Sequence, residues 1–261
     1  MKRIVWLAVL LFFDVRHGRT FVGDHARRIR HAGYGRPWDL MRIALPLGIA
    51  TTMAALNLNM PRYFIHAHLG ERQLGIYSAL AYTTVAMILV SDSMGHSAIP
   101  RLSRFYTRER LAEFRSLLLR LLAAGALLGV AGLAVVRLIG ARLLTLIYGR
   151  EYAAQFRVFL VLILAAAVYC VACMFTIAIT SARCFRIQVP LYAMVAGSNA
   201  LACAYWVPRA GLAGGAIAML IAATVHLVLG AAVVSRLLRK KGKRLALQEP
   251  QAWGNEWEPN F

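Results

Sequence analysis

The sequence predicts an all-α fold, a polytopic transmembrane helical bundle of six spans. Three observations predict it. Hydrophobic residues make up 60% of the chain and charged ones only 16%, against roughly half and a quarter in a typical soluble domain. The apolar residues come in recurring runs of about 20, each long enough to cross ~30 Å of hydrocarbon at ~1.5 Å per residue. The cations gather in the gaps between these runs, where membrane topology puts them.

The chain opens on MKRIVWLAVLLFFDVRHGR, a basic head followed by an apolar run from Ile4 to Phe13. That run is too short to span unaided, and no small-residue cleavage site follows it. It reads as the end of a longer helix, so residues 1–39 are expected to be a helix stub and a basic loop. The six spans run approximately Leu40–Ile65, Leu74–Ala98, Leu117–Leu138, Phe156–Ile179, Val189–Trp206 and Leu212–Leu237, making residues 40–238 one six-helix unit. Between the third and fourth spans, Gly140–Arg157 mixes apolar and charged residues at helical spacing and is predicted to lie along a membrane interface. Gly125-x-x-x-Gly129 and Gly211-x-x-x-Gly215 predict close helix approaches. Residues 239–261 begin basic, turn polar and carry proline, as a disordered tail does.

Charge settles orientation and excludes one class of partner. The net charge of +19 would ordinarily suggest nucleic acid. Here the cations alternate by connection: twenty-one Lys and Arg flank one side of the spans and seven the other. The richer side is predicted cytoplasmic, with both ends of the six-span unit facing in. Nucleic acid is not expected as a partner; membrane lipid is.

Polar residues inside the spans are the candidate functional groups. LNLNMPRYFIHAHLG (56–70), with Thr52 just before it, places Thr52, Asn59, Arg62 and His66 on one helix face at separations of 7, 3 and 4. Asn57 falls elsewhere on the helix, and Pro61 removes one backbone hydrogen bond. The stripe suits a helix lining a water-filled cavity. Arg62 also lies close enough to the span's end to snorkel to headgroups. In the second span Tyr77, Thr84 and Ser91 recur every seven residues, while Asp92 and His96, four apart, share an adjoining face. An intramembrane carboxylate points to ion coupling or to a pair with Arg101 or His96 that fixes packing. Asn199 reads as a substrate contact or an interhelical bond, and the isolated His226 reads as structural. Cys170 and Cys173 form a C-x-x-C within a lipid-spanning run and have no second ligand pair, so they read as small residues on a helix face. No phosphate-cradling glycine loop, zincin motif or nucleophile elbow is present in the sequence; no enzyme activity, cofactor or metal is expected.

Three stretches together resemble a known family. ALPLGIATTMAALNLNMPRYFIHAHLGERQLGIYSALAY (44–82) resembles the opening of the C-terminal half of polysaccharide biosynthesis flippases, the Wzx-like members of the multidrug/oligosaccharidyl-lipid/polysaccharide exporter superfamily. LIYGREYAAQFRVFLVLILAA (146–166) is similar to the turn between the third and fourth helices of that half. SNALACAYWVPRAGLAGGAIAMLIA (198–222) is similar to its N-x-x-L…P-x-x-G-x-x-GAAIA signature, with Gly215 where an alanine is usual.

The resemblance implies one lobe of a MATE/MOP-like two-lobe transporter in a bacterial inner membrane, acting in polysaccharide or lipopolysaccharide biosynthesis. The implied substrate is undecaprenyl-pyrophosphate-linked oligosaccharide, contacted by Thr52, Asn59, Arg62, His66, Tyr77, Thr84 and Asn199. Asp92 and His96 would couple an ion. The family has two lobes, so the chain is expected to pair with itself, pair with a separately encoded lobe, or be an inactive remnant. A polytopic glycosyltransferase or polysaccharide polymerase is the contrasting expectation.

Overall fold

Six long helices carry the described residues of the computed structural model, which are 37–149, 152 and 154–254. They are α1 (Pro37–Leu69), α2 (Glu71–Thr107), α3 (Leu111–Tyr148), α4 (Phe156–Ser181), α5 (Phe185–Ala210) and α6 (Leu212–Gly254). Among the described residues there is no strand. The chain divides at Pro46 into two compact units, Met1–Pro46 and Leu47–Phe261. The expected helix stub and most of the basic loop lie outside the described residues.

Each predicted span sits inside one helix, and α2 to α6 are each long and apolar enough to cross a membrane. α1, with Asn57, Asn59, Arg62 and two histidines in its C-terminal half, is not one of these five. The helices overrun the predicted spans because hydropathy marks only the lipid-matched part, while backbone hydrogen bonding continues beyond it. So α3 carries the first half of the segment expected at an interface, running through to Tyr148. Gly149 ends it at φ +93°, its N–H bonding the Leu144 and Thr145 carbonyls at 3.1 Å, a left-handed closure that glycine adopts without a Cβ clash. Likewise α6 continues to Gly254 through residues expected in a disordered tail; its run SRLLRKKGKRLALQ is dense in strong helix formers.

α4 is the hub. It packs against α2, α3 and α6, and α5 packs on α6. Its sequence is apolar all round, which suits a helix surrounded by others, and more than half of its 26 residues are buried. Small residues let neighbours close on it. A Cβ on Gly125 would stand 3.1 Å from the Cys170 carbonyl oxygen, and one on Gly129 would stand 2.8 Å from Ala167 Cβ. The small-xxx-small motif of α3 is therefore its seam with α4.

Two apolar clusters form the interior of Leu47–Phe261. One joins Ile65, Leu80, Phe159, Val207 and Ala216. The other, toward the arginine-rich end, joins Leu102, Phe114, Met174, Val195 and Leu238. The polar residues of α1 and α2 meet at the junction between them.

Candidate functional site

At that junction lies a cavity of about 370 Å³ bounded by α1, α2, α4 and α6. Its wall is mostly apolar, with Val85, Ile88, Leu162, Ala165 and Met219, and its polar groups come from α1 and α2 with Tyr169 of α4. A mainly apolar pocket with few placed polar groups is the usual form of a ligand site.

Pro61 organises the α1 side. A proline has no N–H, so the carbonyl four residues earlier, that of Asn57, loses its helical donor. Asn199 of α5 supplies one: its Nδ2 donates to the Asn57 carbonyl and to Asn57 Oδ1, both at 2.8 Å. Asn199 is fully buried and its Oδ1 accepts from the Cys203 thiol at 3.5 Å. It clasps α5 to the break in α1 and does not line the cavity, whereas Asn57, set aside by helical periodicity, does.

Arg62, one residue beyond the proline, lines the cavity beside Asn59. Its Nη1 donates to Asn59 Oδ1 at 2.7 Å, and its guanidinium carbon lies 5.0 Å from the centroid of the Tyr82 ring. Its Nε is buried and has no hydrogen-bond partner, and no carboxylate of the described residues pairs with it. Asn59 also donates from Nδ2 to the Ala55 carbonyl at 2.9 Å, which fixes its oxygen toward the arginine. The cation is thus oriented by one hydrogen bond and one aromatic face while part of its donor capacity stays free.

The α2 face that recurs every seven residues is buried as a unit. Tyr77 donates to the Gly215 carbonyl at 3.4 Å, Thr84 to Ala81 at 2.7 Å, and Ser91 to Cys170 at 3.3 Å. Gly215 permits this contact: a Cβ there would stand 2.9 Å from Ile65 Cδ1 and 3.2 Å from Tyr77 Cε2. Tyr77 and Thr84 line the cavity; Ser91 does not, and it holds α2 to α4.

Asp92 lines the far end. Asp92 lies ten positions along α2 from Tyr82, which faces Arg62, a rise of about 15 Å at ~1.5 Å per residue. No ion pair joins Asp92 to Arg101, His96 or any other described cation. His96 is exposed and uses its Nδ1 on the Asp92 backbone carbonyl at 2.8 Å, not on the carboxylate. The cavity therefore has a cation at one end and a carboxylate at the other, with neutral hydrogen-bonding side chains between.

Two other predicted site residues stand apart from it. Thr52 is exposed and donates to the Gly48 carbonyl at 2.9 Å, and His66 is exposed. Two lining residues escaped sequence reasoning, Tyr82 and Tyr169. Tyr169 also explains His226, which is not isolated. His226 Nε2 and Thr176 Oγ1 share a hydrogen bond at 2.9 Å, and the imidazole tilts against Tyr169 and Tyr192 at 5.8 and 5.3 Å between ring centroids.

Over 114 residues the chain is 28% identical to the capsular polysaccharide biosynthesis protein CapF of Staphylococcus aureus. The match covers 44% of this chain and 29% of that protein. No family model matches the chain, and no solved structure does. The chain thus spans well under two thirds of the relative's length. Cys170 and Cys173, the remaining motif, are buried free thiols bonded to the Met87 carbonyl and to Ser91 and Cys170 respectively.

Proposed function

We propose that this chain is one lobe of a membrane transporter that moves lipid-linked oligosaccharide across a bilayer for polysaccharide biosynthesis. Arg62 carries the reading. A guanidinium with a buried, unpartnered N–H in a mainly apolar cavity suits a phosphate or pyrophosphate oxygen, which planar donors bind strongly. Asn59, Tyr77 and Thr84 offer hydrogen bonds of the kind sugar hydroxyls take. The name of the Staphylococcus aureus relative supports the same pathway class.

In this reading the substrate is undecaprenyl-pyrophosphate-linked oligosaccharide. α1 crosses the membrane as a sixth span, giving a MATE/MOP-like lobe with both ends of the six-span unit at the cytoplasmic face of a bacterial inner membrane. Asp92, about 15 Å along α2 from the Arg62 end, takes the coupling ion. Transport proceeds by rocking of this lobe against a second one, from another copy or a separate chain. Purified protein in detergent should bind a polyprenyl-pyrophosphate-linked oligosaccharide; Arg62→Lys should keep partial binding and Arg62→Ala should lose it. Equal binding by both variants returns Arg62 to a headgroup-snorkelling role. Chemical turnover of the bound sugar would instead make the chain a glycosyltransferase or polymerase.

A further inference from the structure

A second amphipathic feature lies at the arginine-rich end, away from the cavity. α2 and α3 are joined by a tight turn at Arg108–Arg110, and beside it their facing sides leave two adjoining hollows. One, of about 260 Å³, is lined by Arg101, Phe105, Glu113, Ser116, Leu117 and Arg120. The other, of about 400 Å³, is lined by Met94, Ser97, Ala98, Arg101, Leu117 and Leu121. They share Arg101 and Leu117, so they form one groove with a basic mouth and an apolar floor.

The charges at the mouth are available. Neither Arg101 nor Arg120 has an ion-pair or hydrogen-bond partner among the described residues. The acid in the wall, Glu113, is already neutralised: its Oε1 lies 2.6 Å from Arg110 Nη2. Lys241 of α6 is also engaged, donating to the Tyr106 carbonyl and standing 4.1 Å over the Tyr106 ring. Two free guanidinium groups therefore line the same groove as the Ser116 hydroxyl and the apolar side chains of Met94, Ala98 and Leu121.

We infer that this groove binds an anionic phospholipid, its phosphate between Arg101 and Arg120 and an acyl chain along Met94, Ala98 and Leu121. Charge complementarity selects an anion, and basic pockets between transmembrane helices take acidic headgroups. The apolar floor selects a lipid over a soluble phosphate, which gains nothing from it. The site is independent of Arg62 and of the transport reading, since none of its residues lines the cavity.

The test uses the purified full chain in nanodiscs of mixed phosphatidylglycerol and phosphatidylethanolamine, transferred to mild detergent, with retained lipid counted by native mass spectrometry. Phosphatidylglycerol should be retained in preference to phosphatidylethanolamine, and millimolar inorganic phosphate should not displace it. Arg101→Gln with Arg120→Gln should reduce retention about tenfold or more. Arg104→Gln with Arg108→Gln removes equal charge from outside the groove and should change it less than about twofold. Ser97→Phe fills the slot without changing net charge and should also release the lipid. Equal loss from both arginine pairs, full retention by Ser97→Phe, equal retention of both lipids, or displacement by phosphate each overturns the inference. Circular dichroism of each variant confirms helical folding, and if an arginine pair fails to fold, Ser97→Phe decides.

Discussion

Removal of Asn199 offers a quantitative view of how α1 tolerates its proline. Asn199→Ala deletes two hydrogen bonds to Asn57, and interhelical bonds inside membranes average ~0.6 kcal/mol each. It also leaves the Asn57 carbonyl, deprived of its helical donor by Pro61, without a partner in a residue only 5% exposed. An orphaned buried acceptor costs ~1–3 kcal/mol. The sum is a destabilisation of about 2–4 kcal/mol. Pro61→Ala restores an N–H four residues after Asn57, so in that background the carbonyl regains a partner within its own helix. Asn199→Ala should then cost only about 1–2 kcal/mol, a coupling of ~1–2 kcal/mol between two residues on different helices. The assay is unfolding by SDS in mixed micelles, followed by circular dichroism, for the four proteins of the cycle. Costs that add to within ~0.5 kcal/mol would refute the claim that Asn199 repairs the break at Pro61. Affinity for lipid-linked sugar should be unchanged in folded Asn199→Ala protein.

Three further outcomes are expected. Gly214→Ala places a Cβ 2.1 Å from the Trp206 carbonyl oxygen, a backbone atom, and should cost about 3 kcal/mol, read as lost monodisperse protein in detergent; Gly197→Ala, with nothing within 4 Å, should leave yield unchanged. His226→Phe and Thr176→Val should each lower stability by about 1 kcal/mol in thermal unfolding, and the double variant should lose little more, because they break the same 2.9 Å bond; additive losses contradict a shared bond. Asp92→Asn should abolish transport by reconstituted protein while expression is unchanged, and undiminished transport removes Asp92 from any coupling role.

The helices were legible because each span announces itself by apolar length, but their ends were not. α6 runs on through sequence without apolar excess, where backbone bonding and helix propensity carry the structure, and α3 runs on through a mostly apolar stretch, IGARLLTLIY, broken by Arg142. The site was legible within one helix and obscure between helices. Spacing brought Asn59 and Arg62 together and put Tyr77 and Thr84 on one face, since both are properties of a single helical period. Spacing cannot report that Pro61 frees the Asn57 carbonyl for a side chain 142 residues away. Nor does it show that Tyr82 faces Arg62, or that Tyr169 and Tyr192 enclose His226. The lone signal available was Pro61 itself, which requires some donor for the carbonyl four residues before it.

The central claim is that the cavity between α1, α2, α4 and α6 receives a pyrophosphate-linked sugar through Arg62. Photo-crosslinking in native membranes with a photoreactive polyprenyl-pyrophosphate-linked oligosaccharide, followed by peptide mapping, tests it most directly. Label should fall on the α1 and α2 peptides around Asn59, Tyr82 and Thr84 and vanish in Arg62→Ala. Label confined to other helices, or undiminished in Arg62→Ala, contradicts the account.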